Sequence, residues 1–582
     1  MKSIIRPAHR IYFAWLACAL CILTSGAFAQ TEVVQSRGVD ARVDYASLLD
    51  YGPWDDRNYQ LTAEDIALLA PNEADLRLNV PAFYRVHMRR TMDLPTTGKV
   101  QYPRSATPRF LNRYGGILID GKVYRKVSWT ENGYVLNPEE AMEPASVLRA
   151  NKALQGEARV SSPNDAAESA IKINPVNTNL VIAGSNGPGG GQKMHYSSDG
   201  GVTWTESAAL PQGGTCCDPT VDWSSDGTKA YAATLGNGVY IYRSGDNGQT
   251  WDDLNTEPGG DPRREIGVAS SDKEYIHVDK FATSPYLDNI YLTWHEGNTM
   301  YFSRSTDMAH TWVPKVALSS GSDERGIGSD ITTDKNGHVY YAWPAFNSQK
   351  ILVRKSTDGG ATFQPTVEVA DTQASFEFQI PAMDTRLVFV YLSADADLSD
   401  GPYGNSLYMA WTDSTAATGG TPSNNHGRIQ VAYSRNGGAD WTLTTPHETA
   451  DANTVDRFHP WLAVGPDGTV HVVYYDTRRD VTRQSVDFFH SFSTDGAQTW
   501  STPERLTSVQ SPKINDFFEW GDYNGLDVVM NDLIAIFTDN RDESGGSAES
   551  VDVYAAGKSV GSSEIFSDDF EGGDTSNWTA VP

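Results

Sequence analysis

Six octapeptides of one form, S-x-D-x-G-x-T-W, punctuate the middle of this 582-residue chain, and nothing else in it restricts the fold as strongly. They begin at Ser197, Ser244, Ser305, Ser356, Ser434 and Ser493 and end on Trp204, Trp251, Trp312, Phe363, Trp441 and Trp500. Their third positions, Asp199, Asp246, Asp307, Asp358, Asn436 and Asp495, recur 47 to 78 residues apart. Repetition at such a period marks an array of similar supersecondary units. Each copy reads as a tight hairpin turn in which Ser and Asp oxygens accept bonds from loop amides and Gly supplies a left-handed residue. The terminal aromatic folds back over the sheet. A short β-rich run precedes every copy, as in Val239 to Arg243 or Phe488 to Phe492, and a second run precedes that one, as in Ala230 to Ala233 or Val470 to Tyr475. Such runs, bounded by Gly, Asn and Asp, predict four-stranded blades set in a ring. A seventh unit lacks the octapeptide: Trp520 to Gly525 opens it, and Leu533 to Phe537 and Val551 to Tyr554 are its next strands. The expected fold is therefore all-β, a β-propeller with seven blades favoured and six the alternative, carrying a small mixed N-terminal extension.

The flanks divide the chain further. Lys2, Arg6 and Arg10 precede an apolar run from Ile11 to about Thr24, followed by Ala27-Phe28-Ala29. This order describes a signal peptide over residues 1–29, cleaved after Ala29, and a secreted or periplasmic protein. Residues 30–160 form an accessory region, with a short helix expected from Thr62 to Leu69 and a hairpin from Ile117 to Tyr124 turning at Asp120-Gly121. The propeller is expected over 161–558, followed by a linker and acidic tail over 559–582. No later apolar run is long enough to span a bilayer. The net charge of −28 repels phosphate backbones, so nucleic acid is not an expected partner. Of four cysteines, Cys18 and Cys21 leave with the signal, and the adjacent Cys216-Cys217 either close a vicinal ring or remain two small thiols.

The octapeptides resemble the Asp boxes, or BNR repeats, of the sialidase superfamily of β-propellers, over roughly Pro163 to Gly557. The resemblance implies a propeller scaffold, with the boxes on the face away from the catalytic site; sialidases of the superfamily have six blades. It also implies three arginines gripping a sugar carboxylate, a Tyr nucleophile, a Glu and an acid/base Asp. The family's early F/Y-R-I-P signature has only an echo in Tyr84-Arg85-Val86-His87. Arg478, Arg479 and Arg541 follow second strands, each flanked by acids that offer a local salt bridge instead, and Tyr523 is the tyrosine nearest the expected channel mouth.

Innermost strands line a propeller's channel. Counting back nine residues from the turn that follows each of them aligns Glu168, Asp218, Asp279, His459 and Asp522, with Gly328 and Asp330 in the fourth blade and Gln379 in the fifth. A ring of such groups has three readings: acids with shifted pKa values for acid/base chemistry, oxygen ligands for Ca2+, or hydrogen bonds cementing the blades. Catalytic candidates are Asp218, Asp279, Asp522, His459 and Tyr523. Substrate-binding candidates are Glu168, Lys280, Arg478, Arg541, Cys216 and Cys217. No His cluster for a metal, P-loop, dinucleotide fingerprint or G-x-S-x-G elbow is present. The reading is a secreted glycoside hydrolase of sialidase-like type acting on an extracellular glycan without a required cofactor. The alternatives are a non-catalytic glycan- or protein-binding propeller and a polysaccharide lyase.

Overall fold

The computed structural model describes residues 156–162, 165–256, 260–514, 519–542 and 551–560, and upstream of these six short strands between Val33 and Met142. The signal segment, the helix expected at Thr62 to Leu69, Tyr84 to His87 and the tail beyond 560 lie outside the described residues. The strands of the expected hairpin are present: Ile117–Ile119 pairs antiparallel with Lys122–Tyr124, Ile119 opposite Lys122.

Seven antiparallel sheets make the propeller, each of four strands except that of blade 6, which adds a short fifth strand at Ser511–Pro512; the inner strands are Ala167–Ile173, Thr220–Trp223, Ser271–Val278, Asp330–Thr333, Leu392–Ala396, Arg457–Val464 and Gly525–Val529 in blades 1 to 7. Blades 1 to 6 are built from consecutive strands. Blade 7 takes its outermost strand, Gly156–Arg159, from the other end of the chain, paired with Asp552–Ser559. Charges hold this closure: Arg159 bonds Asp552 at 2.7 Å, and Arg541 joins Asp539 to Glu157 on the closing strand.

All six octapeptides adopt one hydrogen-bonded turn. In the second, Ser244 donates to Asp246 at 2.8 Å, the Gly248 amide donates to Ser244 at 2.9 Å, and Thr250 donates to Asp246 through both its amide (2.9 Å) and its hydroxyl (2.7 Å). Two successive left-handed residues make the bend, which is why Gly predominates there; Asn247 (φ 64°) precedes Gly248 (φ 81°). In the fifth turn Asn436 and Asp440 exchange chemistry, the Asn436 amide donating to the Asp440 carboxylate. The turns also lock neighbouring blades. A cation beside the Ser of one turn donates to a carbonyl in the turn of the next blade: Arg243 to Met308, Arg304 to Gly359, Lys355 to Gly437 and Arg435 to Gly496.

Aromatic side chains fill the space between sheets. Trp294, Trp343 and Trp411 on second strands, Trp223 on an inner strand, and Trp251 from a turn are all fully buried. Around the channel, carboxylates bridge inner strands. Asp222 accepts from Trp223 and from Val278 of the next blade, Asp330 from Ile331 and Ala394, and Asp395 from Ala396 and Val464, all within 2.7–2.9 Å. Asp527 accepts from Ile173, joining blade 7 to blade 1.

Asp395→Ala strips the Ala396 and Val464 amides of their acceptor, so it is expected to lower unfolding stability by about 2–3 kcal/mol. Val481→Ser, at a side chain 99% exposed, is expected to stay within about 0.5 kcal/mol of wild type. Chemical denaturation of both variants checks this; equal stabilities would show that the bridging carboxylates do not hold the ring.

Candidate active site

At one end of the channel the inner strands begin with a distortion rather than with regular ladder. Glu168 (φ 49°), Asp218 (φ 57°), Lys273 (φ 50°) and His459 (φ 48°) all adopt the left-handed conformation there, and Gly328 (φ 68°) does so in blade 4. Register shifts accompany it at Ala167/Ser169, Asp272/Tyr275 and Phe458/Trp461. A left-handed residue with a side chain is strained, and β-bulges of this kind re-aim side chains beside functional sites. Four blades share the device, and their side chains meet.

Lys273 lies at the centre. Its ammonium is 3.1 Å from Asp522 and 3.6 Å from Asp218, and stands over the rings of Tyr523 (4.2 Å) and Tyr391 (5.0 Å). Arg386 bridges Glu168 and Asp522, each at 2.5 Å. Asn186 donates to Glu168 and accepts the Asp218 amide, and the Tyr523 hydroxyl donates to Asp218 at 3.2 Å. Tyr275 packs against Trp461 and Tyr523, with ring centroids 5.6 and 6.3 Å away, so aromatic faces adjoin the charged groups. The Cys216–Cys217 disulfide, the ring closure foreseen as one alternative, immediately precedes Asp218; Cys216 is exposed and Cys217 half-buried.

Burial and charge set the carboxyls apart. Burial pushes Glu168 up to about 7 against the pull of Lys273 and Arg386. Asp272, half open to solvent, is raised to about 7 by burial and by the adjoining Asp218. Glu274, buried without a hydrogen-bond partner for either oxygen, is driven well up by burial and by Asp218. Burial would raise Asp522 too, but Lys273 and Arg386 together outweigh it and hold that carboxyl far below its ordinary range. His459 is pushed down to about 3 by burial, leaving a neutral imidazole whose ring nitrogens have no partner.

Of the residues singled out from sequence, Glu168, Asp218, Asp522, Tyr523, His459 and the two cysteines gather here. Asp279 and Lys280 do not. They lie past the other end of the blade 3 strand, six or more residues and about 20 Å beyond Lys273, where Asp279 accepts from Ser284 and Lys280 pairs with Asp222. Counting back from the turn misplaced them because this strand is followed by a longer loop, in which Asp279 pairs back to Asp288 and Asn289; Lys273 occupies the equivalent place. Gln379 bonds the Asp384 carbonyl, and Tyr391 stands in its blade instead. Arg478 pairs with Asp476 and Glu448, Arg479 with Asp487, and Arg541 with the closing strand, all as local salt bridges. Asp272, Lys273, Glu274 and Arg386 were missed. The run Asp-Lys-Glu at the start of the blade 3 inner strand was a usable signal for the first three; Arg386 comes from the segment inserted between blades 4 and 5 and carries none. Among the described residues no group of three or more His, Cys, Asp or Glu side chains is set to hold a metal ion.

These shifts fix a pH dependence. Carboxyls raised on folding, Glu168 and Asp330 to about 7 and Glu519 to about 8, contribute stability that is complete below their unfolded values and is lost as pH climbs through 7 to 8. The buried histidines, lowered on folding, act in the opposite sense while their unfolded forms titrate near 6.5, and add nothing above about pH 7.5. The melting temperature is expected to fall by about 1 °C between pH 7.5 and 9; a flat or rising profile would mean that these carboxyls are ionised in the folded protein.

A family model described as a domain of unknown function (DUF8300) matches residues 44–128, outside the propeller. No curated protein matches the chain. Among solved structures, the BP39L lectin from Burkholderia pseudomallei is 11% identical, with 68% of this chain and 97% of that one covered and a TM-score of 0.46. The α-L-arabinofuranosidase Arb93A from Fusarium graminearum is 10% identical over 70% and 98%, with a TM-score of 0.37. A Hadza microbial sialidase, Hz136, is 15% identical over 53% and 63%, with a TM-score of 0.34. Likeness at this level says nothing of what this chain acts on.

Proposed function

We propose that this is an exported carbohydrate-active propeller that hydrolyses a glycosidic bond of an extracellular glycan at the channel mouth formed by blades 1, 2, 3, 6 and 7. The observation that carries the reading is the contrast between neighbouring carboxyls: Asp272 is solvent-facing and protonated near neutrality, while Asp522 is kept ionised by Lys273 and Arg386. Glycoside cleavage needs this pairing of a proton donor for the leaving oxygen with negative charge facing an oxocarbenium-like centre. Asp272 is the acid. Asp218, which adjoins that acid and accepts from the Tyr523 hydroxyl, is the second reacting carboxyl, and Asp522 supplies the fixed charge. Tyr275 and Trp461 offer faces for a sugar ring, and the exposed Cys216–Cys217 ring adds an apolar edge. The resemblance of the six turns to Asp boxes supports a sialidase-like form of this chemistry, with an acidic sugar as the substrate class.

Elimination is less well served. His459, brought down to about 3, is a poor base, and burial raises Tyr523 well above its ordinary value. A purely binding role has one observation in its favour: Glu168, Asp218 and Asp522 are nearly fully buried and already paired with cations.

Purified protein is assayed against sialylated glycans, polyuronates and arabinan, with Asp272→Asn and Asp218→Asn as variants. Each variant is expected to lose about 100- to 10,000-fold in kcat/KM. The wild-type rate is expected to fall above about pH 7, as the acid ionises, and that limb to vanish in Asp272→Asn. Equal product release by all three proteins would remove this site; no release from any glycan would leave the binding reading.

A further inference from the structure

The segment inserted between blades 4 and 5 bears on how a ligand reaches this site. Its strands Glu377–Phe378 and Val388–Phe389 form a short hairpin, and Ile380 and Met383 exchange backbone bonds near its tip. From the tip, Arg386 crosses to Asp522 of blade 7 and Glu168 of blade 1. The Thr385 and Arg386 amides donate to the Glu519 carboxylate at 3.2 and 3.3 Å, and Asp384 pairs with Lys513. The hairpin is not a loose flap. Ile380, Ala382 and Met383 are fully buried, in one apolar cluster with Trp411, Phe458 and Trp520 of blades 5, 6 and 7. Lifting it would expose that cluster and strip Glu168 and Asp522 of their guanidinium at once.

The opposite rim is open. There Cys216 is exposed, Val268 is 44% exposed and the Asp272 side chain 53% exposed, all on blade 2 or the approach to blade 3. Solvent therefore meets the cluster from one side, at the proposed acid, while the side of blades 5 to 1 is closed. We propose that the hairpin at 377–389 is a fixed half-cover that restricts the site to the end of a glycan chain, which enters over Cys216–Cys217 and Asp272, and excludes an unbroken chain running across the channel mouth. The inference rests on the hydrolase reading above and adds the mode of cleavage, exo rather than endo.

Two measurements on the full chain test it. In amide hydrogen exchange, Ile380, Met383, Thr385 and Arg386 are expected to be protected at least about 100-fold more than the loop carrying Val481; exchange as fast as in that loop would show a mobile flap and overturn the half-cover. In cleavage of a polyuronate and a polysialic acid, the wild type is expected to release small saccharides from the earliest times while viscosity falls only in step with sugar released. A steep early loss of viscosity would overturn chain-end specificity. Replacing residues 380–386 by a Gly/Ser turn, in a variant whose far-ultraviolet circular dichroism matches wild type, is expected to raise internal cuts relative to end release at least fivefold; an unchanged ratio would overturn the hairpin's role. Cleavage of neither polymer, nor of any glycan in the wider panel, would sink the hydrolase reading and the exo assignment with it, while exchange still decides whether the half-cover exists.

Discussion

The carboxylate accepting a backbone amide is the interaction on which this molecule depends. It closes five of the six peripheral turns, where an Asp receives an amide and a hydroxyl from one Thr, and it returns at the channel, where Asp222, Asp330 and Asp395 each tie an inner strand to the next. Propeller blades diverge outward and leave few side-chain contacts near the axis, so hydrogen bonds must supply cohesion there. In the turns the bonds from Thr and Ser outweigh partial burial and hold the Asp below its ordinary range, and an ionised acceptor makes a stronger bond to an amide than a neutral one does. Part of the strongly acidic composition is thus structural.

The mouth cluster uses the same residue type for a different end. Two cations stand among several acids in a poorly hydrated space, and their positions decide which acids stay charged. Asp522 touches both and is ionised; Glu274 touches neither and is neutral. Contact with both cations, rather than with one, is what outweighs burial: Glu168 touches Arg386 and is still raised to about 7.

Much of this was legible beforehand, for a physical reason. The turns carry their chemistry locally, Ser, Asp and Thr all bonding within five residues, so sequence and structure meet without help from the rest of the ring. They account for six blades, and the seventh was read from the strand runs after Trp520, which carry no such turn. The relay cations Arg243, Arg304 and Lys355, each one residue before its Ser, were not read from the sequence, because their partners lie a blade away. The mouth was harder. Glu168, Asp218 and His459 were aligned correctly because their strands and following turns have a common length. Asp279 was not, because blade 3 departs from it. Arg386 reaches the cluster only through tertiary packing of an insertion, and nothing near it in the chain announces where a guanidinium 218 residues from Glu168 will settle.

The borrowed outer strand of blade 7 has a consequence for assembly. Gly156–Arg159 leaves the ribosome first among the propeller's strands, yet its mate at Asp552–Ser559 is synthesised last, with almost four hundred residues between. Until that latch engages, the toroid is an open arc with two raw sheet edges, a hazard for pairing with another nascent chain. Closure of the ring is consequently expected to be post-translational and all-or-none at its final step.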